Sequence, residues 1–402
     1  MLSPFSITET LRRVEENDSA LTQIRIRSSI RGVLVFGDGV FTSSAGSNDF
    51  SQLGASIGQN TCIVKLDVTV YDGLALKYDN IEFLNGLKQN ASIRELSLNC
   101  ESLTQSVYLG RSAAHGILEA YQVNNNLTCL VMARYRLEIG DDQIIAATLR
   151  CNTNLTCIHI VMCGISNEQL VPIIDAIRGH TSLEYLSLDF NQIGDSGCAS
   201  IATLLQEPNC NLHTLTLRFN DIGSRGVVDL TNGLVSNKHL RNINLHDNPL
   251  DTYDWNRILM SVLCEYSSLN NIYYSNHSLE RVGMSGTQLH YLRSLLEMNR
   301  SENKCHVAIM KIVKYHFYQI DMEPLFDWNM EGEGERDLKA LPYVIAWFDR
   351  AAKVVVGYGM QRDYGMQLDR EKLSSIYQFA RALPLFFVPP SKRAVGKMCT
   401  LQ

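Results

Sequence analysis

The chain has 402 residues, of which 45% are hydrophobic and 19% charged, and its formal net charge is −6. The apolar share is sufficient for a large core, while the negative balance lacks the basic excess typical of nucleic-acid-binding proteins. No apolar run approaches the roughly 20 residues that a membrane-spanning helix needs, which argues against a membrane partner.

The first twenty residues predict a capping helix. Residues 1–20 lack the apolar segment and small-residue cleavage site of a signal peptide. Ser6 or Thr8 can begin a helix, and the acidic stretch EEND closes it. Eleven cysteines, an odd number, are scattered along the chain without CxxC pairs. Together these features predict reduced thiols and a cytoplasmic location.

From residue 21 onward the sequence repeats. The stretch SLEYLSLDFNQIGDSGCASIATLL, residues 182–205, combines an LxxLxL pattern, an asparagine at the ninth position and then apolar residues spaced by three and four. The first spacing is typical of a strand and the second of a helix. Less regular units begin at Leu21, Ile63 and Ile93, and units 28 or 29 residues apart begin at Leu127, Leu155, Leu183, Leu212, Leu240 and Leu269. A fixed period in this range predicts a solenoid.

The pattern LxxLxLxxN/C, followed by IGDSG and a helix, resembles the ribonuclease-inhibitor-like class of leucine-rich repeats over residues 20–280. The resemblance implies an α/β solenoid with a curved parallel sheet inside and helices outside. The ninth position is filled by Cys163, Asn191, Asn220 and Asn248, and the chain departs from the family there at Tyr71, Glu101, Tyr135 and His277. We expect the asparagines to stack in a column and to satisfy backbone groups that leave the sheet.

Two insertions interrupt the period. The first lies between Leu21 and Ile63 and contains GDGVFTSSAGSND, a Gly/Ser-rich loop that includes Ser43–Ser47. The second lies between Ile93 and Leu127, near CESLTQSVYLGRS. Insertions in solenoids map to loops. These two insertions are therefore either part of a binding face or sequence changes that the fold tolerates without a function.

The C-terminal part departs from the repeat. The unit at Leu269 predicts a last strand carrying Asn271, Tyr273 and Ser275. We assign residues 21–282 to the repeats, residues 283–388 to a helical module and residues 389–402 to a disordered tail. A solenoid needs its last apolar face covered, so the module is interpreted as a C-terminal cap. A separate binding domain is the alternative.

Alternation along the strands predicts a binding surface. Positions four and six of each unit point into the core, so Leu186 and Leu188 are expected to be buried and Ser187 exposed. Positions three, five and seven face outward, with position eight at the rim. In the middle units these positions are apolar and aromatic, as in protein interfaces, and the predicted protein-binding residues are Val131, His159, Val161, Tyr185, Asp189, Phe190, Arg218 and Phe219. Alternatively, the C-terminal module or the inserted loops cover this surface.

One group of side chains could carry chemistry. Cys129, Cys157 and His159 are expected close together on neighbouring strands, but structural zinc takes four ligands. The cysteines also recur in NLTCL and NLTCI, so repeat similarity explains them equally. GxSxG, HExxH and a Gly-rich phosphate loop after a strand are absent from the sequence.

The sequence therefore predicts a non-enzymatic scaffold that binds a partner protein on the concave face of the repeats. No metal, no cofactor, no nucleic acid and no small-molecule substrate is expected. Two alternatives remain. The first is a regulator of a small GTPase, which some relatives of this repeat class are. The second is an adaptor subunit of a larger assembly.

Overall fold

The computed structural model describes residues 7–27, 40–41, 47–71, 81–101, 111–250, 252–265, 269–284, 290–304, 307–308 and 311. Within these ranges the helices are Ile7–Glu15 (α1), Ser47–Gln59 (α2), Ile81–Gln89 (α3), Arg111–Val123 (α4), Asp141–Cys151 (α5), Asn167–Ile177 (α6), Asp195–Leu205 (α7), Ser224–Ser236 (α8), Thr252–Leu263 (α9), Leu269–Tyr274 (α10) and His290–Met298 (α11). The strands are Gln23–Arg27 (β1), Val40–Phe41 (β2), Lys65–Tyr71 (β3), Glu95–Glu101 (β4), Cys129–Ala133 (β5), Cys157–Val161 (β6), Tyr185–Ser187 (β7), Thr214–Thr216 (β8), Asn242–Asn244 (β9) and Arg281–Gly283 (β10).

The described strands form one parallel sheet. Their order is β10-β9-β8-β7-β6-β5-β4-β3-β1-β2. Neighbouring units pair in the register of the repeat, so that Leu186 lies opposite Ile158 on one side and Leu215 on the other. A helix connects most successive strands, and neighbouring helices pack against each other. This arrangement confirms the predicted solenoid of strand–helix units.

The repeated leucines form a core between the sheet and the helices. Leu183 and Leu212, at position one of their units, are buried, and Leu186 and Leu188 are 0% exposed, as predicted. The prediction for Ser187 is wrong, because this side chain is only 2% exposed. Ser187 does lie on the outer side of the strand, but it is small and stands between larger side chains on the neighbouring strands.

The asparagines at position nine satisfy the backbone where each strand ends. The side-chain nitrogen of Asn191 donates to the carbonyl oxygen of Ile160 at 2.8 Å, and its Oδ1 accepts from the backbone nitrogen of Cys163 at 3.0 Å. Asn220 and Asn248 bridge the following units in the same way. These bonds confirm the predicted column, in which each amide serves as donor and acceptor at once.

Cys163 fills the same position with a thiol. Its sulfur donates to the carbonyl oxygen of Met132, at a distance of 3.6 Å. Burial raises the pKa of Cys163 to about 12, so the thiol stays protonated and can donate. Tyr135, which departs from the family pattern one unit earlier, is also buried.

A second column of buried amides lies where each helix leads into the next strand. Asn90 donates to the carbonyl oxygens of Ile57 and Asn60 at 2.7 and 2.9 Å, and accepts from the backbone nitrogen of Ile93 at 2.8 Å. Each member stands three residues before the first apolar residue of a unit, and the members are Asn60, Asn90, Asn124, Asn152, Asn237 and Asn276. At these six corners, side-chain amides thus bond the backbone as they do at the strand ends.

His180 stands in this second column in place of asparagine. It precedes Leu183 by three residues and is buried. Burial lowers the pKa of His180, and the carbonyl oxygen of Leu149 opposes this shift only in part. An unfolded histidine has a pKa of about 6.5, so below that pH the unfolded chain binds more protons than the folded chain. The stability associated with neutral His180 is therefore complete above about pH 6.5 and is lost as the pH falls towards the folded-state pKa.

We expect His180→Asn to raise the free energy of unfolding by about 1 kcal/mol at neutral pH, because an amide can donate and accept as its neighbours in the column do. The variant should also lose less stability than the wild type between about pH 7.5 and about pH 5.5, on either side of the unfolded-state pKa. Urea unfolding at both pH values measures this, with His213→Asn as the control. The same pH dependence in wild type and His180→Asn would contradict the assignment.

The glycines of the IGDSG motif (residues 193–197) and of IGSRG in the next unit (residues 222–226) are explained by contacts between successive helix starts. Asn167 Oδ1, on α6, accepts from the backbone nitrogen of Gly197 at 3.0 Å. Asp195 Oδ1, on α7, accepts from that of Gly226 at 2.9 Å. A Cβ atom on Gly197 would lie 2.8 Å from Asn167 Oδ1, and one on Gly226 would lie 2.6 Å from Asp195 Oδ1. Any larger residue would push the two helix starts apart.

The last unit differs from the prediction. Residues 269–274 form helix α10, so the predicted strand carrying Asn271, Tyr273 and Ser275 is wrong. The last described strand is β10, which pairs with β9. Its unit begins at Leu279, which is 0% exposed, and Val282 at position four is also buried.

The corner amide explains this register. Asn276 stands three residues before Leu279 and donates to the carbonyl oxygens of Leu234 and Asn237 at 2.7 and 3.0 Å. It therefore continues the second amide column across a unit that is longer than its neighbours. Leu269 fits the leucine spacing but has no asparagine three residues before it.

The chain divides into two compact units. The first comprises residues 1–264 and 275–304, and the second residues 265–274 and 305–402. In the first unit α11 packs against α9, and β2, within the first insertion, pairs with β1 at the edge of the sheet. Positions 42–46 of that insertion and residues 312–402, which include most of the predicted helical module and the whole predicted tail, lie outside the described residues. No helix in the described ranges is long and apolar enough to cross a membrane.

Candidate functional site

Four of the eight predicted binding residues lie on the side of the strands that faces away from the helices, which we call the concave face, and the other four follow the strands at its rim. Val131 on β5 lies opposite His159 on β6, and Val161 lies opposite Ala133. Tyr185 begins β7, opposite Cys157. Asp189, Phe190, Arg218 and Phe219 follow the ends of β7 and β8. All eight predicted residues are half-buried or exposed.

Tyr185 and His159 form one aromatic pair. Their ring centroids lie 4.8 Å apart, with the planes tilted by 33°. Burial lowers the pKa of His159, while the negative charge of Asp189 opposes the shift. The imidazole is therefore neutral at pH 7, and the pair presents a mainly apolar surface with polar edges.

Phe190 and Phe219 form a second pair at the rim. Their rings stack with centroids 4.2 Å apart and an interplanar angle of 12°. The guanidinium carbon of Arg218 lies 5.5 Å from the centroid of Phe219. The two phenylalanines are 38% and 39% exposed, and Met162 in the preceding unit is 44% exposed. These rings therefore point outward rather than into the core.

Position eight of the units has a left-handed backbone. The φ angles are 57° at Met162, 57° at Phe190 and 51° at Phe219, with similar values at Arg134 and Asp247. This conformation costs a residue with a Cβ atom roughly 1–2 kcal/mol relative to the right-handed one. Glycine or asparagine would adopt it more easily. Met162, Phe190 and Phe219 are thus bulky apolar residues in a backbone conformation that bulky residues rarely adopt, and their side chains lie outside the core.

Asp189 joins the two middle units. Its Oδ1 accepts from the backbone nitrogen of Arg218 at 2.7 Å. This bond holds the segment before Phe219 against the segment before Phe190, because Asp189 and Arg218 directly precede the two rings. Asp189 is therefore a positioning residue for the stacked pair.

The structure separates two groups that the sequence treats as one surface. Tyr185 pairs with His159, and Phe190 pairs with Phe219. Five residues separate Tyr185 from Phe190 along the chain, so at about 3.3 Å per residue the two pairs are up to roughly 16 Å apart. A ligand that touches both must span the concave face along the strand direction.

A groove beside the rim was missed by the sequence analysis. It has a volume of about 1320 Å³ and runs past Met162 and Phe190 to the segment after β5, which includes Arg134 and Ile139. Ile139 is 98% exposed. The signal in the sequence is the irregular stretch RYRLEIGDD, which lacks the asparagine of the later units.

The expected group of Cys129, Cys157 and His159 does come together. Cys129 and Cys157 are opposite each other in the sheet, and Cys157 Sγ lies 3.1 Å from His159 Nε2. The adjacent Cys157 thiol lowers the pKa of Cys129, and the Cys129 side chain, with burial, raises the pKa of Cys157. In the part of the chain that the structure describes, no group of three or more ligands has a geometry suited to a metal ion.

Comparisons with known proteins agree with the repeat pattern. The family model described as Leucine Rich repeat matches residues 179–202 and 209–230. NACHT, LRR and PYD domains-containing protein 14 of Mus musculus is 23% identical over 253 residues, which are 59% of this chain and 24% of that protein. The ribonuclease inhibitor of Sus scrofa is 29% identical over 146 residues, which are 36% of this chain and 31% of that protein. The chain thus spans between about a quarter and a third of these relatives.

Solved structures match at low similarity. Leiomodin-1 actin-binding site 2 has a TM-score of 0.32 and 18% sequence identity, and the match covers 46% of this chain and 96% of that chain.

Proposed function

We propose that this chain, a leucine-rich-repeat protein of the ribonuclease-inhibitor-like class, binds a partner protein through the middle units of its concave face. The observation that carries the proposal is the exposed stack of Phe190 on Phe219, with Arg218 beside it. Aromatic and arginine side chains are the residues in which binding energy concentrates at protein interfaces. A relative whose name, ribonuclease inhibitor, states a protein ligand supports the same class of partner.

The distribution of charge also favours the middle units. On the first strands, Lys65 and Glu95 form an ion pair at 3.4 Å, and Arg25 lies 3.8 Å from Asp67. Charges paired across the sheet in this way contribute little net charge for attracting a ligand. The middle units instead offer aromatic rings with few competing charges, and desolvating them on binding is favourable.

The left-handed backbone at position eight argues against a role of the two phenylalanines in stability alone. Rings that stabilised the fold would be expected in the core or at backbone positions without strain. Exposed rings at strained positions are better explained by contact with a ligand. We propose a cytoplasmic scaffold of this kind.

The test compares two double variants of matched character. Phe190→Ala with Phe219→Ala removes the stack, whereas Val171→Ala with Val228→Ala removes two side chains on the helices that are 44% and 42% exposed. A partner captured by affinity purification should bind the first double variant more weakly, with a loss of binding free energy of about 1–3 kcal/mol for each anchor residue. The second double variant should bind as the wild type does.

Stability is the necessary control. Weaker binding with an unchanged melting temperature supports the proposed surface. Full binding by a stable Phe190→Ala, Phe219→Ala variant would move the interface away from the rim, and Tyr185→Ala then tests the other aromatic pair of the same face.

A further inference from the structure

Two thiols face each other on the concave face, in strands β5 and β6. Cys129 and Cys157 are register partners, and each is half-buried and carries a free thiol. Adjacent strands lie about 4.8 Å apart, which is within the range of about 4.4–6.8 Å between the Cα atoms of disulfide-bonded cysteines. Both side chains leave the same face of the sheet, so rotation about the Cα–Cβ bonds can bring the two sulfurs together.

The two thiols differ in pKa, and a histidine that can accept a proton lies beside one of them. The adjacent Cys157 thiol lowers the pKa of Cys129 and so favours its ionisation. The Cys129 side chain and burial raise the pKa of Cys157. His159 Nε2 lies 3.1 Å from the Cys157 sulfur, and its imidazole is neutral at pH 7 because burial lowers its pKa. A nucleophile, a second thiol and a proton acceptor thus stand side by side.

Two neighbouring charged residues, Glu95 and Lys65, also affect the ionisation of the thiols. Glu95 is the register partner of Cys129 on the other side, and its charge opposes the ionisation of both thiols. Glu95 is itself paired with Lys65, whose positive charge favours the Cys129 thiolate. The Cys157 thiol changes the pKa of Cys129 more than the charge of Glu95 or of Lys65 does.

We propose that Cys129 and Cys157 are a redox-active pair that a peroxide oxidises to an intramolecular disulfide. The Cys129 thiolate attacks one peroxide oxygen and the O–O bond breaks. The other oxygen leaves as hydroxide and takes up the proton that the Cys129 thiol lost on ionisation, which gives water. Cys129 is now a sulfenic acid. Cys157 gives its proton to His159, and its thiolate attacks the Cys129 sulfur. The S–O bond breaks, and the departing hydroxide takes the proton from His159 to form water. In total, two thiols and one hydrogen peroxide give one disulfide and two waters.

The pair lies within the proposed binding surface but does not depend on it. Tyr185 is the register partner of Cys157 on the next strand and contacts His159. A disulfide would hold β5 and β6 together beside this ring. The oxidation itself requires only the two thiols and the histidine, so its test is separate from any test of partner binding.

The experiment treats the reduced full-length protein with hydrogen peroxide, alkylates the remaining thiols and maps the peptides by mass spectrometry. We expect one linked species that joins the Cys129 and Cys157 peptides and disappears on treatment with dithiothreitol. Cys151 is exposed on α5 and serves as the control. The variant Cys151→Ser should give the same yield of the linked species.

Two further variants make the mechanism testable. Cys157→Ser should abolish the link and leave a sulfenic acid on Cys129 that dimedone traps. His159→Gln should slow the formation of the link by tenfold or more, on the order of the effect of a general base. Circular dichroism confirms that each variant is folded. Oxidation of Cys62 or Cys151 in the folded wild type, with no peptide linking Cys129 to Cys157, would overturn the proposal.

Discussion

Leu186→Ala is expected to lower the free energy of unfolding by about 2–5 kcal/mol, the range for leucines truncated in a packed core. Leu186 is 0% exposed and lies between Ile158 and Leu215 of the neighbouring strands. The substitution removes apolar contacts and leaves a cavity that these neighbours fill only in part. Urea unfolding of the purified protein measures the loss.

The matched control is Glu184→Ala, two residues earlier in the same unit. The Glu184 side chain is exposed, so its truncation should change the free energy of unfolding by no more than about 0.5 kcal/mol. Comparable losses for Leu186→Ala and Glu184→Ala would mean that the strand is displaced in register and that the assignment of the concave face is wrong.

Asn191→Ala should destabilise the protein although it removes little apolar area. The amide donates to the carbonyl oxygens of Ile160 and Leu188 at 2.8 and 2.9 Å and accepts from the backbone nitrogens of Cys163 and Ile165 at 3.0 and 3.2 Å. Each buried group left without a partner costs roughly 1–3 kcal/mol. We therefore expect a loss of several kcal/mol.

Two other substitutions test whether the loss of stability in Asn191→Ala comes from its buried hydrogen bonds. Asn211→Ala removes an amide whose bond to the carbonyl oxygen of Thr181 lies at the surface, and it should cost much less. Asn191→Cys copies the thiol at Cys163 and should retain part of the stability, because a thiol can donate but accepts only weakly. A loss for Asn191→Ala no greater than that for Asn211→Ala would contradict the role of the column.

The repeat pattern predicts the core because burial and spacing are directly linked. Leu186 and Leu188 recur with the strand period and could be assigned from the sequence alone. The burial of Ser187 could not, because it depends on the size of side chains on two neighbouring strands rather than on its own position. Alternation predicts the direction of a side chain but not how far its neighbours cover it.

The last unit shows where a constant period fails. A template with steps of 28 or 29 residues selects Leu269, whereas the strand follows Leu279, 39 residues after Leu240. The asparagine that stands three residues before most units would have indicated the correct start, since Asn237 and Asn276 share that position. The hydrogen bonds of the corner asparagine to the backbone therefore determine the register here more strongly than the leucine spacing does.

The sequence predicts which residues line the candidate site, but it does not predict how their side chains contact each other. Phe190 and Phe219 were placed at the rim by counting, but their stacking depends on the left-handed backbone at position eight, which no local sequence preference of phenylalanine favours. The same limit applies to Cys157 and His159, whose contact at 3.1 Å requires a particular pair of side-chain rotamers.

The most direct test of the central claim is photo-crosslinking from single positions of the folded protein to a captured partner. A benzophenone-bearing phenylalanine analogue at position 190 keeps an aromatic ring on the concave face, and the same analogue at position 171 presents it on the outer helices. If the middle of the concave face binds the partner protein, position 190 will crosslink to it and position 171 will not. Crosslinking from position 171 with none from position 190 would contradict the account.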